Sequence, residues 1–466
     1  MDFPQDFTER MCRLREDYPQ LEAALRVAAP VSIRLNPAKT AALPFRSHER
    51  VMWCSTGYYL SERPAFTFDP LFHAGVYYVQ EAASMFLEQA VAQYVTAPAV
   101  CLDLCAAPGG KSTHLLSLLP RRSLLVSNEV IRSRVTVLAE NVLKWGMPDV
   151  IVTHSDPAEL GRLVHGFDVL VADLPCSGEG MFRKNPAVRR EWSVASVMQC
   201  AARQRRILHD VWPALRPGGI CIYSTCTFNC EENEDNIRYL VRSLPAEAVP
   251  VNVEAGWRIT CSADDRCPSY RFFPHRTAGE GFFLAVLRKP DGPCRPFPFK
   301  TGNRRSALRH TPGEEWLSDA DAYRFTAEAS FVRAIPEIHA EWMLSVSERL
   351  RVVTAGVPTG EWKGKDFLPA PALALSTAFR RDAFPTVELA REEAIRYLQK
   401  EALRLAPDTP KGHVTVTFRK MPLGFVRHIG HRANNLYPHE WRIRSRHLPE
   451  EISSPLRQPA SPSPDL

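Results

Sequence analysis

Two cysteines lie where a thiol can do chemistry: Cys176, in Asp173-Leu174-Pro175-Cys176, and Cys226, in Ser224-Thr225-Cys226-Thr227. A thiolate is a strong nucleophile, and each of these thiols closes an apolar run of the kind that forms a buried parallel strand, at 167–173 and 219–224. A third such run, 100–104, leads into Cys105-Ala106-Ala107-Pro108-Gly109-Gly110-Lys111. In an open α/β sheet, ligands sit beyond the carboxyl ends of the strands. The glycine turn, Asp173 and both thiols should therefore face one cleft.

Each feature also has a plainer reading. Gly109 and Gly110 let a ligand approach the backbone, and the helix that follows offers free N–H groups, but an ordinary turn uses the same residues. The segment is neither a P-loop nor a Gly-x-Gly-x-x-Gly dinucleotide turn. Glu129, ending the second strand, is placed to accept ribose hydroxyls or simply to begin a helix. Asp156, after the third strand, suits an adenine amino group or a helix cap before Pro157. Together the three strand ends fit an adenosyl cofactor with an amino-acid tail, S-adenosylmethionine better than NAD.

Asp173 can bond a base edge, and a carboxyl near a pyrimidine ring nitrogen stabilises charge during attack on the ring. Carbon 5 of a pyrimidine is not nucleophilic. A thiolate adding to carbon 6 makes it so; carbon 5 then takes a methyl group, a base removes its proton and the thiol leaves. One strand-end thiol is ordinarily a small buried hydrophobe, as Cys101, Cys200, Cys221 and Cys230 are expected to be. Two at neighbouring strand ends beside a glycine turn are not ordinary. These residues alone leave open which thiol attacks.

The elements that would position them alternate. Strands at 100–104, 124–128, 150–153, 167–173 and 219–224 are separated by helices at 111–119, 133–145 and 195–215. This predicts an α/β fold with a doubly wound parallel sheet over 96–290, and a late strand at 281–287 antiparallel at its edge. Residues 1–95 read as a mixed α/β accessory region that contacts RNA, with helical periodicity over 7–26, a strand at 31–36 and an amphipathic helix at 80–95. A proline-rich linker at 291–314 carries Arg304, Arg305, Arg309 and His310. A second unit spans 315–447; it contains a strand from Gly412 and a turn-rich basic stretch from Arg427 to Pro438. The tail, 448–466, is rich in proline and serine and predicted to be disordered.

Bulk properties exclude some classes. The 466 residues exceed one ordinary core, and a net charge of +6 permits an anionic partner without demanding one. The first residues lack a basic segment leading into an apolar run, and no apolar run approaches the roughly 20 residues that cross a bilayer. A cytoplasmic chain with no membrane partner follows, its 12 cysteines kept as thiols. No cysteine spacing fits a zinc site, so no metal is expected.

The segments Asp103-Leu-Cys-Ala-Ala-Pro-Gly-Gly-Lys-Ser112, Asp173-Leu-Pro-Cys-Ser-Gly-Glu-Gly180 and Ser224-Thr-Cys-Thr-Phe-Asn-Cys-Glu-Glu-Asn-Glu234 resemble the signature of the Sun-type RNA cytosine-carbon-5 methyltransferases, over residues 30–290. The resemblance implies a Rossmann-like class I fold that uses S-adenosyl-L-methionine. It implies Cys226 as nucleophile, Cys176 as the thiol that assists product release, and Asp173 as a base contact. Its cofactor contacts fall on Cys105, Ala106, Ala107, Pro108, Gly109, Gly110, Lys111, Glu129, Asp156 and Asp173.

Further on, 351–361 and 424–438 resemble the C-terminal extension and PUA-like RNA-binding module of the family's RsmF branch, which implies 16S ribosomal RNA or the 30S subunit as partner of a monomeric enzyme. Arg427, Arg432, Arg442, Arg444 and Arg446, interleaved with Phe425, Tyr437 and Trp441, suit phosphate contacts and base stacking. A second basic cluster, Arg183, Lys184, Arg189, Arg190, Arg203, Arg205 and Arg206, follows the Pro-Cys motif and suits RNA at the cleft mouth. The competing expectations are a transfer RNA methyltransferase of the same mechanism, a catalytically silent RNA-binding factor, and a small-molecule or protein methyltransferase. The last would need neither paired thiols nor a basic C-terminal module.

Overall fold

The computed structural model describes residues 2–40, 49–295, 297, 311–445 and 454–456. Five parallel strands form its centre: β1 (Val100–Asp103), β2 (Leu124–Asn128), β3 (Val150–Thr153), β4 (Phe167–Asp173) and β5 (Leu215–Thr225). Their spatial order is β3-β2-β1-β4-β5. The chain runs outward from β1 to β3, then returns to the other side of β1 as β4. The crevice between the ends of β1 and β4 is thus the switch point where such sheets bind ligands.

Three helices matter for the site: α1 (Gly110–Leu118), α2 (Arg132–Trp145) and α3 (Val194–Val211). Along β4, Val169 and Val171 join one core with Cys101 and Ile222, while Leu170 and Ala172 join the opposite core with Leu102 and Tyr223. Both faces are covered, so the strands read as continuous apolar runs rather than as alternation.

Several predicted elements change. The stretch 7–26 is two helices, Gln5–Leu14 and Tyr18–Arg26, because Arg15 turns back to grip Asp17 with two bonds of 2.8 Å. The helix placed at 80–95 begins later, as a 3-10 turn Ala83–Phe86 and then Leu87–Tyr94; the Glu81 carboxylate accepts from the Ala83 and Ser84 amides ahead of it. The late strand β6 (Phe282–Arg288) is antiparallel to β5 but is not an edge. Tyr270–Phe272 and Thr260–Cys261 continue the sheet beyond it.

The opposite edge is closed by Val352–Ala355, antiparallel to β3. The 315–447 unit therefore contributes a strand to the catalytic sheet. The same unit holds two antiparallel-rich sheets of four strands each. The basic stretch from Arg427 is not turn alone: Met421–His428 and Ala433–Asn435 are paired strands. One apolar core joins Ile33, Leu71 and Tyr77 of the N-terminal region to Leu389, Val414 and Tyr437 of the C-terminal one. Residues 454–456 also depart from the disordered tail: Leu456 is buried in that core and Ser454 Oγ donates to Asp69 Oδ2 at 2.8 Å. The rest of the tail, and Arg304, Arg305, Arg309 and His310 of the linker, lie outside the described residues.

Candidate active site

The β4–β5 register pairs Asp173 with Ser224. This places Cys176 and Cys226 on adjacent loops at the same end of the sheet, with their sulfurs 3.3 Å apart. The bond to Cys226, and then burial, push the Cys176 thiol well above its ordinary range and hold it protonated.

Opposite the thiols is the glycine turn. Gly109 has φ +115°, a left-handed conformation that L side chains rarely adopt, and it caps α1. Helix α2 fixes the turn: Arg134 Nη2 donates to the Ala107 carbonyl at 2.6 Å and Asn141 Nδ2 to the Pro108 carbonyl at 2.7 Å. Lys111, in the first turn of α1, lies 2.9 Å from Asp173 Oδ2, and Ser224 Oγ donates to Asp173 Oδ1 at 2.8 Å. Burial draws the Lys111 ammonium down, but the Asp173 carboxylate outweighs it and holds the ammonium above its usual range.

Two cavities meet at Cys226. One, of about 340 Å³, is lined by Tyr78, Gln80, Lys111, Asp173 and Phe282. The other, of about 490 Å³, is lined by Cys105, Ala107, Arg134, Asp173, Cys176 and Trp192. Both include Cys105, Asp173 and Cys226, so two ligands could approach one sulfur from different sides. A larger cavity of about 660 Å³ lies behind the Phe228 loop, where its arginines are already paired, Arg15 with Asp17, Arg238 with Asp264 and Arg271 with Glu234.

The remaining predicted contacts differ in character. Glu129 is buried; its Oε1 accepts from the Ile131 amide at 2.9 Å, and its Oε2 lies 3.6 Å from Arg134 Nη1, an ion pair beyond hydrogen-bond reach. Asp103, quoted in the first motif but not singled out, is fully buried at the end of β1, with Oδ2 bonded to Ser112 and Oδ1 without a hydrogen-bond partner among the described residues. Burial pushes its carboxyl up to about 7 against that bond. The Asp103 oxygen and the Glu129 carboxylate, at successive strand ends, suit a ligand bearing an amine and ribose hydroxyls, as the adenosyl cofactor does. Asp156 is exposed, and the cap reading is the one seen: Oδ1 accepts from the Ala158 amide at 2.9 Å.

The basic clusters need correction. Arg183 donates to the Ala24 and Gly279 carbonyls, Arg189 to the Phe182 carbonyl, and Arg205 to Asn236, while Lys184 pairs with Glu280. These side chains hold loops together; Arg190, Arg203 and Arg206 are exposed. In the C-terminal module Phe425 is 0% and Tyr437 1% exposed, so neither can stack on a base. They are core residues: Phe425 packs against Phe379 and Phe384, and Tyr437 against Tyr397. Trp441 is half-buried with Lys144 over its ring. Arg432 and Arg444 are exposed, Arg427 pairs with Asp366, Arg442 bonds His439, and Arg446 lies outside the described residues.

Sequence reasoning also missed two fully buried acids, Glu179 and Glu232, beside the thiols. Both stand within the quoted motifs, in Gly-Glu-Gly and Glu-Glu-Asn-Glu, where nothing local marks them as buried. Away from the cleft, Cys54, Glu88 and His114 form the one metal-ligand-like cluster among the described residues. The buried Arg34 guanidinium already opposes the Glu88 charge there.

The chain was compared with known proteins. The family described as 16S rRNA methyltransferase RsmB/F matches residues 95–288. The N-terminal domain of 16S rRNA methyltransferase RsmF matches 3–82, and the methyltransferase RsmF PUA domain matches 384–443. A ribosomal RNA small subunit methyltransferase F from Erwinia tasmaniensis is 30% identical over 94% of this chain and 96% of its own length. Its counterpart from Citrobacter koseri is 31% identical over 88% of this chain and 89% of its own. Among solved structures, a methyltransferase homolog protein from Pyrococcus horikoshii superposes with a TM-score of 0.51 at 26% identity, covering 61% of this chain and 99% of that one. NSun6 from the same organism shares the fold, with a TM-score of 0.52 at 20% identity over 62% of this chain and 99% of its own.

Proposed function

This chain belongs to the ribosomal RNA small subunit methyltransferase F family, and from that membership we propose that it methylates carbon 5 of a cytosine in 16S ribosomal RNA through a covalent bond to Cys226. The observation that carries the reading is the Cys176–Cys226 pair, 3.3 Å apart at neighbouring strand ends and facing the glycine turn. An enzyme that methylates nitrogen or oxygen has no use for two such thiols.

The residues fit S-adenosylmethionine: the backbone of Cys105–Gly110, Asp103 Oδ1, the Glu129 carboxylate, Asp156, Lys111 and Asp173 would hold it. When bound there it supplies the electrophilic methyl group. The cytosine must be unstacked to enter, because a duplex hides carbon 6. Cys226 adds to carbon 6. Asp173 and Lys111, locked together beside that sulfur, face the polar edge of the ring and steady the charge that develops on it. Cys176, held as the thiol, is placed to help Cys226 depart.

Bisulfite sequencing of total RNA from cells with and without the gene tests the proposal. Loss of one protected cytosine in 16S ribosomal RNA is expected. Loss confined to transfer RNA would overturn the substrate and keep the mechanism.

A further inference from the structure

The two cysteine-bearing loops exchange carboxylates. Glu179 follows Cys176 in the chain, yet its Oε2 accepts from the amides of Phe228 at 2.6 Å and Asn229 at 2.9 Å, just beyond Cys226. Glu232 follows Cys226, yet its Oε2 accepts from the Ser177 amide at 3.0 Å, next to Cys176. Asn229 Nδ2 lies between the two acids, 3.1 Å from Glu179 Oε1 and 2.8 Å from Glu232 Oε1. Trp192 Nε1 and Gln204 Nε2 add one donor each, at 3.1 and 2.8 Å. A hydroxyl bond of 2.9 Å between Ser177 and Thr227, and the Gly180 amide on the Cys226 carbonyl at 2.9 Å, cross the same gap.

Burying two acids side by side is unfavourable. Neither carboxylate is hydrogen-bonded to a lysine or arginine among the described residues, so N–H donors supply most of the compensation, and several come from the other loop. Moving either loop strips donors from a buried carboxylate, which is unfavourable for each group left unsatisfied. The arrangement therefore resists any change in loop spacing, and that spacing sets the distance between the sulfurs.

We propose that Glu179 and Glu232 are positioning residues: a crossed carboxylate clamp that fixes the two thiols at the separation Cys176 needs to release product from Cys226. This rests on the thiol roles proposed above. Release breaks the carbon 6–sulfur bond. The carbon 5 proton passes to water or a basic group, its bonding pair re-forms the ring double bond, and the carbon–sulfur pair leaves on Cys226. The Cys176 thiol then donates its proton to that sulfur, which requires near contact. The negative charge of Glu232 also adds to the influences that keep Cys176 protonated, behind its bond to Cys226 and its burial.

The test compares Glu232→Gln and Glu179→Gln with wild type and with Cys176→Ala, using a 16S RNA substrate and labelled S-adenosylmethionine. Single-turnover methyl transfer, steady-state turnover and denaturation-resistant protein–RNA adduct are measured for each. The clamp variants should keep single-turnover transfer within about threefold of wild type, while steady-state turnover falls about 10- to 100-fold and adduct accumulates. The KM for S-adenosylmethionine should not move. A merely structural role would lower both phases together without adduct, and that result, or wild-type turnover, overturns the clamp. If Glu232→Gln fails to fold, Thr227→Val removes the hydroxyl that bonds Ser177 across the gap and accepts from Asn229 Nδ2, and is read by the same assay. Adduct in Cys176→Ala but in no clamp variant also overturns the clamp. No adduct in Cys176→Ala overturns the thiol roles themselves.

Discussion

Arg34 Nη2 donates to the Thr113 hydroxyl at 2.6 Å, joining the N-terminal strand Val31–Leu35 to the first turns of α1. Its Nε donates to Gln80 Oε1 at 2.7 Å, and its guanidinium lies 4.5 Å from the Trp145 ring. Burial draws Arg34 down to about 10, so it is still charged at neutral pH. The N-terminal region is thereby bound to the helix that supports the glycine turn, and it lends Tyr78 and Gln80 to the cleft.

Arg34→Met should destabilise the protein by about 1–3 kcal/mol, since Gln80 and Thr113 lose a buried partner. It should also raise the KM for S-adenosylmethionine. Thermal melts with and without the cofactor check this. Wild-type stability with wild-type KM would remove Arg34 from the support of the turn.

Cys226→Ala should lower methyl transfer by more than about 10³-fold while RNA binding persists. Filter-binding and tritium-transfer assays separate the two. Full turnover in this variant would mean that the nucleophile has been misassigned. Lys111→Met should lower kcat by about 10²-fold, as loss of one preorganised charge at a reacting ring does, and leave RNA affinity unchanged.

Gly109→Ala forces a side chain into φ +115°, at a strain of about 1–3 kcal/mol, with its Cβ 3.3 Å from that of Asn141. The turn will shift to relieve it. The expected signature is weaker cofactor binding with RNA binding intact, measured by calorimetry. Equal weakening of both would point to general unfolding.

His73 gives a pH dependence. Its Nε2 donates to the Thr67 carbonyl at 2.8 Å, and its Nδ1 faces the Lys144 ammonium at 3.4 Å and the Tyr437 hydroxyl at 3.5 Å. Burial, and then Lys144, lower its pKa to about 3. Between that value and the unfolded one near 6.5, the unfolded chain binds the extra proton. Stability is therefore complete above about pH 6.5 and falls with pH through this window, with His73 accounting for about 2 kcal/mol by pH 5. Urea titrations at pH 7.5 and 5.0 should show a smaller difference in His73→Asn than in wild type. An unchanged difference would contradict the assignment.

The parallel strands and both thiols were legible because a strand covered on both faces is an unbroken apolar run, and chemistry stands where the run stops. The glycine turn was legible from its place after β1. Glu179 and Glu232 were not, because a buried acid differs from a solvated one only in what lies across from it. Phe425 and Tyr437 misled for the converse reason: aromatic residues among arginines suit a nucleic-acid surface, and only their packing, Phe425 against Phe384 and Tyr437 against Tyr397, shows them turned inward. Nor does any local pattern show that Val352–Ala355 completes a sheet begun at Val100.

The core shared by Ile33, Tyr77, Val414 and Tyr437 has a consequence for synthesis. The N-terminal region leaves the ribosome first, but the surface that covers it is made only after most of the chain. Until then its apolar face is open to solvent or to a chaperone. Nascent chains that stop before residue 389 should be sticky and short-lived even with the whole catalytic sequence present. Completion of translation thus becomes a condition for a stable enzyme.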